Sequence, residues 1–560
     1  MDVNSAPDHP SADQYAHPCA WDLALAELTV PGLLERAANE APDAPATDFM
    51  GWRQTYAQVL DEARRVAAGL AARGIGKGDR VGLYLPNVPI YLSAYYGAMM
   101  AGATVVNFSP LYTVEELAAQ VADSGTRLLV TIDVASLLPT ALKVLDGSQL
   151  ETLVVGSLGG QLPALKRIAL ALLGRKALAP VPDRSDLVRW ETLKAEPVAL
   201  PAVARTDLAL LQYTGGTTGR PKGAMLTHAN LADNALQVQA IDPAAGERDV
   251  ILGVLPFFHV FANTCVLNRT VANKGCVAML PRFDAKQALK TLQRVQATAF
   301  PGVPTMYQAL LDHPQLAKTD FSSLRVCISG GAPLPAPVRE AWEARTGSRL
   351  VEGYGLTESS GVVSTNPYEG TRKPGTIGQV LPHTRVMLLD KEDPTRPAPA
   401  GEPGELVVAG PQVMQGYWNL PEAAADAFAE VGGTRWLRTG DVAAIDEDGF
   451  IAIVDRIKDM IAVGGFKVFP SQVEAVLVEH PAVKEALVLG MPDAYLGELP
   501  RAFVTLNEGE DTTGEDLAKW LNARIGKHER VSGVEVRAEL PKTMVGKLDR
   551  KALRAEVLPG

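Results

Sequence analysis

The hydrophobic positions along the chain alternate between helical spacing and short continuous apolar runs. An amphipathic stretch, YAQVLDEARRVAAGLAA at 56–72, is followed by a Gly-rich turn and then by the apolar run RVGLYL at 80–85. The same alternation returns between residues 205 and 370, where LALLQYT, VILGVLPF, CVAMLP and LRVCISGG are short apolar runs. Helices that alternate with buried strands predict layered α/β lobes.

The pattern changes after residue 370. Residues 371–454 contain short apolar segments separated by Pro and Gly turns, which predicts a β-rich subdomain. The chain after residue 460 predicts a compact α+β unit. Ser471 and Glu474 have capping-box spacing, as have Thr512 and Glu515, so each pair predicts a helix start.

These segments divide the chain into domains. We expect a large N-terminal α/β domain over 30–454, a hinge over 455–459 and a small mobile α+β C-terminal domain over 460–560. Residues 1–29 have no Lys or Arg and no long apolar stretch, unlike a secretory signal. We therefore predict a disordered tail there and a cytoplasmic protein.

Two segments raise the question of membrane contact. No charged residue lies between Arg80 and Glu115, but the apolar part is short and contains prolines, which favours a buried helix followed by a buried strand. Residues 162–176, LPALKRIALALLGRK, combine apolar positions at helical spacing with four cations. This second segment predicts either peripheral contact with an anionic membrane or a helix packed on the core.

Composition narrows the classes of function. A length of 560 residues exceeds what one core supports, so at least two domains are required. The net charge of -11 disfavours a nucleic-acid-binding protein. The four cysteines have no metal-ligand or CxxC spacing, which disfavours a disulfide framework.

The stretch YTGGTTGRPKGA at 213–224 carries the first chemical signal. It follows an apolar run, so its glycines fall where exposed N–H groups can meet an anion. Threonine hydroxyls and Lys222 add further donors, and the set fits a polyphosphate. The usual P-loop ending, GKS or GKT, is missing.

Six stretches resemble, in order, the motifs of the adenylate-forming enzymes, which include acyl-CoA synthetases, firefly-type luciferases and peptide-synthetase adenylation domains. They are YTGGTTGRPKG at 213, LPFFH at 255, EGYGLTE at 352, RTGD at 438, DRIKDMI at 455 and PKTMVGKLDR at 541. The resemblance covers about residues 30–555. It implies ATP and Mg²⁺ at the first site and CoA as a second substrate.

The resemblance assigns most candidate site residues. Nucleotide contacts fall on Thr214, Gly215, Gly216, Thr217, Thr218, Gly219, Lys222, Gly330, Gly331, Ala332, Tyr354, Gly355, Thr357, Asp441, Arg456 and Lys547. Among these, Tyr354 is expected against adenine and Asp441 on the ribose hydroxyls. Glu358 and Thr214 are the implied Mg²⁺ contacts, and both are counted with the catalytic residues.

Four further assignments concern catalysis and the acyl substrate. Lys547 is the expected catalytic cation, which stabilises the charge that builds on the phosphates during adenylation. Lys458 falls at the hinge about which family members turn the C-terminal domain. His259 is expected beside the carboxylate as a binding group, together with Gly331 and Gly355. Gly464 and Gly465 are expected to face the path of CoA.

The branch of the family depends on weaker signals. Stretches such as VVNFSPLYTVEEL and GPQVMQGYW look closest to bacterial long-chain fatty-acid CoA ligases. Alternatives are an acyl-AMP ligase that loads a carrier protein, and a CoA ligase for dicarboxylic or aromatic acids. A non-catalytic acyl binder and a phosphotransferase, which would release ADP instead of AMP, belong to other classes. We expect fatty acid, ATP and CoA as partners, no nucleic acid, and a homodimer as one possible assembly.

Overall fold

A computed structural model describes residues 9–11, 13–214, 221–246, 249–390, 393–464, 466–543 and 547–558. Its strands are β1 (Pro45–Phe49), β2 (Trp52–Thr55), β3 (Arg80–Leu83), β4 (Thr104–Asn107), β5 (Leu128–Ile132), β6 (Thr152–Gly156), β7 (Leu187–Arg189), β8 (Leu208–Thr214), β9 (Lys222–Thr227), β10 (Val250–Gly253), β11 (Cys276–Met279), β12 (Ala299–Gly302), β13 (Val326–Gly330), β14 (Arg349–Tyr354), β15 (Ser364–Thr365), β16 (Gln379–Val380), β17 (Arg385–Leu389), β18 (Gly404–Ala409), β19 (Phe428–Val431), β20 (Thr434–Ile445), β21 (Ile451–Arg456), β22 (Ile461–Val463), β23 (Phe466–Val468), β24 (Val483–Asp493), β25 (Gly497–Leu506) and β26 (Val534–Val536).

The α-helices are α1 (Val30–Glu40), α2 (Tyr56–Ala71), α3 (Pro89–Met100), α4 (Val114–Ser124), α5 (Leu138–Gly147), α6 (Ala164–Leu173), α7 (Trp190–Leu193), α8 (His228–Ala240), α9 (Val260–Ala262), α10 (Arg269–Ala272), α11 (Ala285–Val295), α12 (Pro304–Leu311), α13 (Ala336–Thr346), α14 (Pro421–Asp426), α15 (Pro470–Val478), α16 (Gly514–Asn522) and α17 (Arg550–Val557). A π-helix, Asn263–Asn268, lies between α9 and α10.

Two mostly parallel sheets form the large domain. The first has nine strands in the order β16-β15-β14-β13-β12-β10-β11-β1-β2, and the second has seven in the order β7-β6-β5-β3-β4-β8-β9. Their central strands are continuous apolar runs because both faces are covered, as in β5, whose five residues are all buried. The predicted α/β lobes are confirmed.

The uncharged segment before Glu115 forms a buried helix and a buried strand, as predicted. All twelve residues of α3 and all four of β4 are buried. No helix in the described ranges is long and apolar enough to cross a membrane.

The β-rich part is an antiparallel sheet in the order β17-β18-β20-β19, with β21 added to β20. Asp441 on β20 lies opposite Arg456 on β21. The C-terminal unit has a sheet of its own, β23-β22-β25-β24, and β26 runs parallel to β25. The domain limits read from the sequence stay predictions, although the sheets divide the chain at similar places.

The disordered tail predicted for residues 1–29 is wrong for the part that the structure describes. The Tyr15 hydroxyl donates to Val380 O at 3.0 Å, and Trp21 Nε1 donates to Thr384 O at 3.0 Å. His17 is buried beside Gln379. Aromatic side chains with polar tips therefore fix this segment along the edge of the large domain.

Neither predicted capping box forms. Thr513, not Thr512, accepts from the Asp516 N–H at the start of α16. Ser471 lies inside α15, and its N–H donates to Asp455 Oδ2 at 2.8 Å. A carboxylate outside the helix therefore satisfies the amide that a local cap would otherwise hold.

Polar side chains buried in the core hold the π-helix. Tyr95 donates to Asn263 Oδ1 at 3.1 Å, and Asn268 Nδ2 donates to the same oxygen at 3.0 Å. The next residue, Arg269, forms ion pairs of 2.5 Å with both Asp242 and Asp249, all three being buried. Such π-helical turns are frequent at functional sites.

Candidate active site

The first site residues stand on a hairpin between β8 and β9. Thr214, the last residue of β8, lies directly opposite Lys222, the first residue of β9. The ladder therefore fixes a hydroxyl and an ammonium at the carboxyl end of the seven-stranded sheet. Five predicted nucleotide contacts on the connecting loop lie outside the described residues: Gly215, Gly216, Thr217, Thr218 and Gly219.

The second group stands where two strands of the nine-stranded sheet end. Gly330 closes β13 and Tyr354 closes β14, and these strands are parallel neighbours. Carboxyl ends of parallel strands are the usual position of ligand sites in such sheets. A Cβ atom on Gly355 would lie 2.0 Å from Gly361 O, so only glycine allows this close backbone packing.

Asp441 joins the β-rich sheet to the end of β14. Its Oδ1 accepts from Arg456 Nε at 3.1 Å, and its Oδ2 accepts from the Tyr354 hydroxyl. Burial beside this carboxylate raises the pKa of Tyr354 well above its usual value. The predicted adenine and ribose contacts therefore lie in direct hydrogen-bond contact with each other.

Lys547 reaches this region from the C-terminal unit. A Cβ on Gly331, whose φ is +83°, would lie 2.3 Å from Lys547 Cε, so the lysine stem crosses directly above the glycine backbone. Burial and the charge of Arg456 lower the pKa of Lys547 to about 8. Its ammonium forms no ion pair with any residue that the structure describes.

One cavity of about 600 Å³ brings these groups together. This volume is within the range of small-molecule sites. Five cations line it: Lys222, Arg438, Arg456, Lys458 and Lys547. Its carboxylates are Glu358 and Glu405, and Glu405 is already engaged by Arg438 at 2.6 Å. The cavity therefore has an excess of positive charge suited to a polyphosphate.

Glu358 and Thr214 fit the predicted magnesium contacts. Both line the cavity and offer the oxygen ligands that Mg²⁺ prefers. Glu358 Oε1 accepts from the Tyr417 hydroxyl at 2.7 Å, which orients the carboxylate. The described chain has no cluster of three or more His, Cys, Asp or Glu that could hold a metal.

His259 lines the cavity as a neutral imidazole. Burial and the charge of Lys547 lower its pKa to about 3. Its Nδ1 accepts from the Phe261 N–H at 3.3 Å, so in the neutral ring the proton lies on Nε2. The histidine can therefore donate a hydrogen bond to an anion but is a poor general base, in agreement with a binding role.

Part of the cavity lining is apolar. This part comprises Val238, Val260, Phe261, Cys265, Ile328, Val362 and Tyr368. Cys265 reaches the cavity from the π-helix, and burial raises the pKa of its thiol to about 12. This thiol is therefore protonated and contributes as a small hydrophobic side chain. Sequence reasoning did not find this wall because its residues are scattered over six elements and loops.

The remaining predicted residues differ in position. Thr357 and Lys458 line the cavity. Ala332 and Gly464 are not among the described residues that line it, and the Gly464 N–H donates to Leu496 O at 2.8 Å within the C-terminal unit. Gly465 lies outside the described residues. The proposed contact of these glycines with CoA therefore stays a prediction.

Sequence reasoning missed the Glu405–Arg438 pair as a site feature. Glu405 is 3% exposed and also accepts from the Gly440 N–H at 3.3 Å, so it fixes the turn immediately before Asp441. The available signal was a lone acid in the apolar strand GELVVA. A buried carboxylate needs a partner, and the RTGD motif supplies it.

Comparison with known proteins agrees with this geometry. The profile of the AMP-binding enzyme family matches residues 34–418, and that of the AMP-binding enzyme C-terminal domain matches residues 472–547. The chain belongs to the AMP-binding enzymes. It is 39% identical over 551 residues to a long-chain-fatty-acid–CoA ligase of Bacillus subtilis, with 97% of each chain covered.

Two further proteins are similar to this chain, one in sequence and one in structure. A long-chain-fatty-acid–CoA ligase of Escherichia coli is 38% identical, with 94% of each chain covered. ATP-bound MatB from Rhodopseudomonas palustris has a similar structure, with a TM-score of 0.82 and 30% identity, covering 94% of this chain and 99% of that one. The fold of this AMP-binding enzyme, with its smaller C-terminal domain, is therefore confirmed.

Replacing Lys547 by alanine tests its role. We expect Lys547→Ala to slow acyl-adenylate formation by about a hundredfold or more, because the ammonium is lost where phosphate charge builds up. Pyrophosphate release without CoA is the measurement. The melting temperature of the free protein should not fall, since the substitution removes a buried charge that has no ion-pair partner. Unchanged pyrophosphate release would contradict the assignment.

The lowered pKa of Lys547 predicts a pH dependence. The ammonium is present below pH about 8 and is lost as the pH rises through that value. At subsaturating ATP, pyrophosphate release should therefore fall above pH about 8, by roughly tenfold per pH unit. In Lys547→Arg the charge persists at all these pH values, so this decline should disappear even if the rate is lower. A wild-type profile that stays flat to pH 9.5 would refute the prediction.

Proposed function

We propose that this AMP-binding enzyme ligates a medium- to long-chain fatty acid to CoA through an acyl-adenylate. The supporting observation is a cavity whose lining combines cations with apolar side chains. The relatives named long-chain-fatty-acid–CoA ligase, which match nearly the whole chain, support the same substrate class.

In the first half-reaction, a carboxylate oxygen attacks the α-phosphorus of ATP. The P–O bond to the β-phosphate breaks, and pyrophosphate leaves. The carboxylate is already ionised at neutral pH, so no base is required. His259 Nε2–H orients it, and Asp441 with Arg456 holds the ribose.

Lys547 and Lys222 stabilise the charge on the transferring and departing phosphates. When bound, Mg²⁺ supplies further charge neutralisation, and Thr214 and Glu358 would hold it.

In the second half-reaction, the CoA sulfur attacks the acyl carbon, and the bond from that carbon to the AMP oxygen breaks. The thiol proton passes to solvent water, and AMP leaves with the electron pair of the broken bond on its phosphate oxygen. In the structure, Lys547 lies across Gly331 at the cavity. We therefore propose that the C-terminal unit turns about Lys458 before this step. The turn would remove the lysine and give CoA a path past Gly464 and Gly465.

We propose a cytoplasmic enzyme that makes peripheral membrane contact through residues 162–176, where a long-chain substrate is available. A homodimer stays a prediction.

The reaction is tested by incubating the enzyme with Mg-ATP, CoA and acetate, hexanoate, octanoate, palmitate, oleate or pimelate. We expect AMP and acyl-CoA, with the highest kcat/KM at octanoate or longer, because the apolar wall contacts the chain. Activity confined to acetate or pimelate would contradict the substrate class. An adenylate without thioester would favour a carrier-protein acceptor, and ADP would favour a phosphotransferase.

The hinge assignment is tested with Lys458→Pro. Proline fixes φ, so the C-terminal unit should stay in the arrangement that places Lys547 in the cavity. Pyrophosphate release in the absence of CoA should persist, whereas thioester formation should fall by about tenfold or more. Lys458→Ala is the matched control, because it removes the side chain without restricting φ. Equal losses of both half-reactions in the proline variant would contradict the hinge role.

A further inference from the structure

Helix α6 carries an apolar face that the fold does not cover. None of its ten residues is buried. Four of the ten large hydrophobic side chains that are exposed in the described chain lie on this helix: Leu165 is 82% exposed, Ile168 54%, Leu172 70% and Leu173 88%. Leu162, before the helix, packs on the core, but these four side chains of α6 do not.

The four side chains form one continuous face. Leu165, Ile168 and Leu172 are spaced by three and four residues, which places them on one side of a helix, and Leu173 is adjacent. Lys166 borders this face beside Leu173, and Arg167 lies on the opposite side. The Lys166 ammonium donates to Met50 O at 2.8 Å, in the turn between β1 and β2. This contact joins the helix to the protein, while its apolar face is directed outward.

The local charge is opposite to that of the chain. The net charge is -11, yet no acidic residue occurs between Glu151 and Asp183, and the segment carries Lys166, Arg167, Arg175 and Lys176. A short helix with an exposed leucine face, cations beside and opposite that face and no acidic residue in its own segment has the composition of an interfacial helix. These cations complement an anionic surface.

A second copy of the chain is a poorer occupant for this face. In a two-fold symmetric contact the same patch meets itself. The cations of one α6 would then approach those of the other, and no acidic residue within the segment could pair with them. A bilayer that contains acidic phospholipid buries the leucines and pairs the cations together.

We propose that α6 lies in the surface of an anionic phospholipid bilayer. Leu165, Ile168, Leu172 and Leu173 enter the boundary between headgroups and acyl chains, and Lys176, just beyond the helix, contacts lipid phosphate. Membrane binding by α6 does not depend on the proposed function. Only its benefit, which is access to fatty acids dissolved in the membrane, rests on that function.

Flotation of the full-length protein with vesicles tests the proposal. Wild type should float with phosphatidylcholine vesicles containing 30 mol% phosphatidylglycerol and far less with phosphatidylcholine alone. Replacing all four apolar residues by serine should abolish flotation. Lys176→Gln should weaken it by roughly fivefold, since a cation near the surface contributes about that factor.

Matched control variants show whether flotation depends on the side chains of α6 or on exposed leucines and cations in general. Leu111→Ser removes an exposed leucine elsewhere, and Lys519→Gln with Lys527→Gln removes two exposed cations from the C-terminal unit. Both should float like wild type. All α6 variants should keep wild-type rates with octanoate, which shows that they are folded. Hydrogen exchange should slow over residues 162–176 when the anionic vesicles are added.

Three outcomes would overturn the proposal. They are no flotation of wild type, equal flotation of the four-serine variant, and unchanged exchange in residues 162–176 despite flotation. A concentration-dependent dimer that the serine variant loses, without flotation, would identify a second copy as the occupant. Flotation needs neither ATP nor CoA, so failure of the catalytic proposal would appear separately as an absence of AMP and acyl-CoA.

Discussion

Positive charge concentrated in one cavity is the constraint on which the arrangement of the active site depends. The two arginines at this site are paired with buried carboxylates: Arg438 with Glu405 and Arg456 with Asp441. Within the described chain, the lysines that line the same cavity form no ion pair. This division separates two tasks, because the paired arginines fix the β-rich sheet and the lysines remain available to phosphate.

The lysines come from different parts of the chain. Lys222 stands on the β8–β9 hairpin, Lys458 follows β21, and Lys547 belongs to the C-terminal unit. Mutual repulsion among them is lowest when the parts separate and is offset when a polyanion is bound. Nucleotide binding and the position of the C-terminal unit are therefore expected to be linked through charge, even though Lys547 itself crosses only a glycine backbone.

Sequence reasoning succeeded where the signal is local. The apolar residues of α3 and β4 are enough by themselves to predict that both elements are buried. The strands that end at Thr214 and begin at Lys222 are likewise predicted by their own apolar residues. It failed where a distant group decides the outcome. Ser471 has the spacing of a cap, but Asp455 from another element holds its N–H. The order of residues 13–29 likewise depends on partners more than 350 positions away.

The apolar wall of the cavity could not be predicted from the sequence, because Val238, Cys265 and Tyr368 are distant in the chain and come together only in the folded protein. The π-helix in that wall has an evolutionary consequence. A π-helical turn accommodates one more residue than an α-helical turn, so losing a residue there restores ordinary helical geometry. Descendants of this gene could thus reshape the apolar wall of the cavity by a single-codon deletion between β10 and β11, while the ends of β13 and β14 keep their positions.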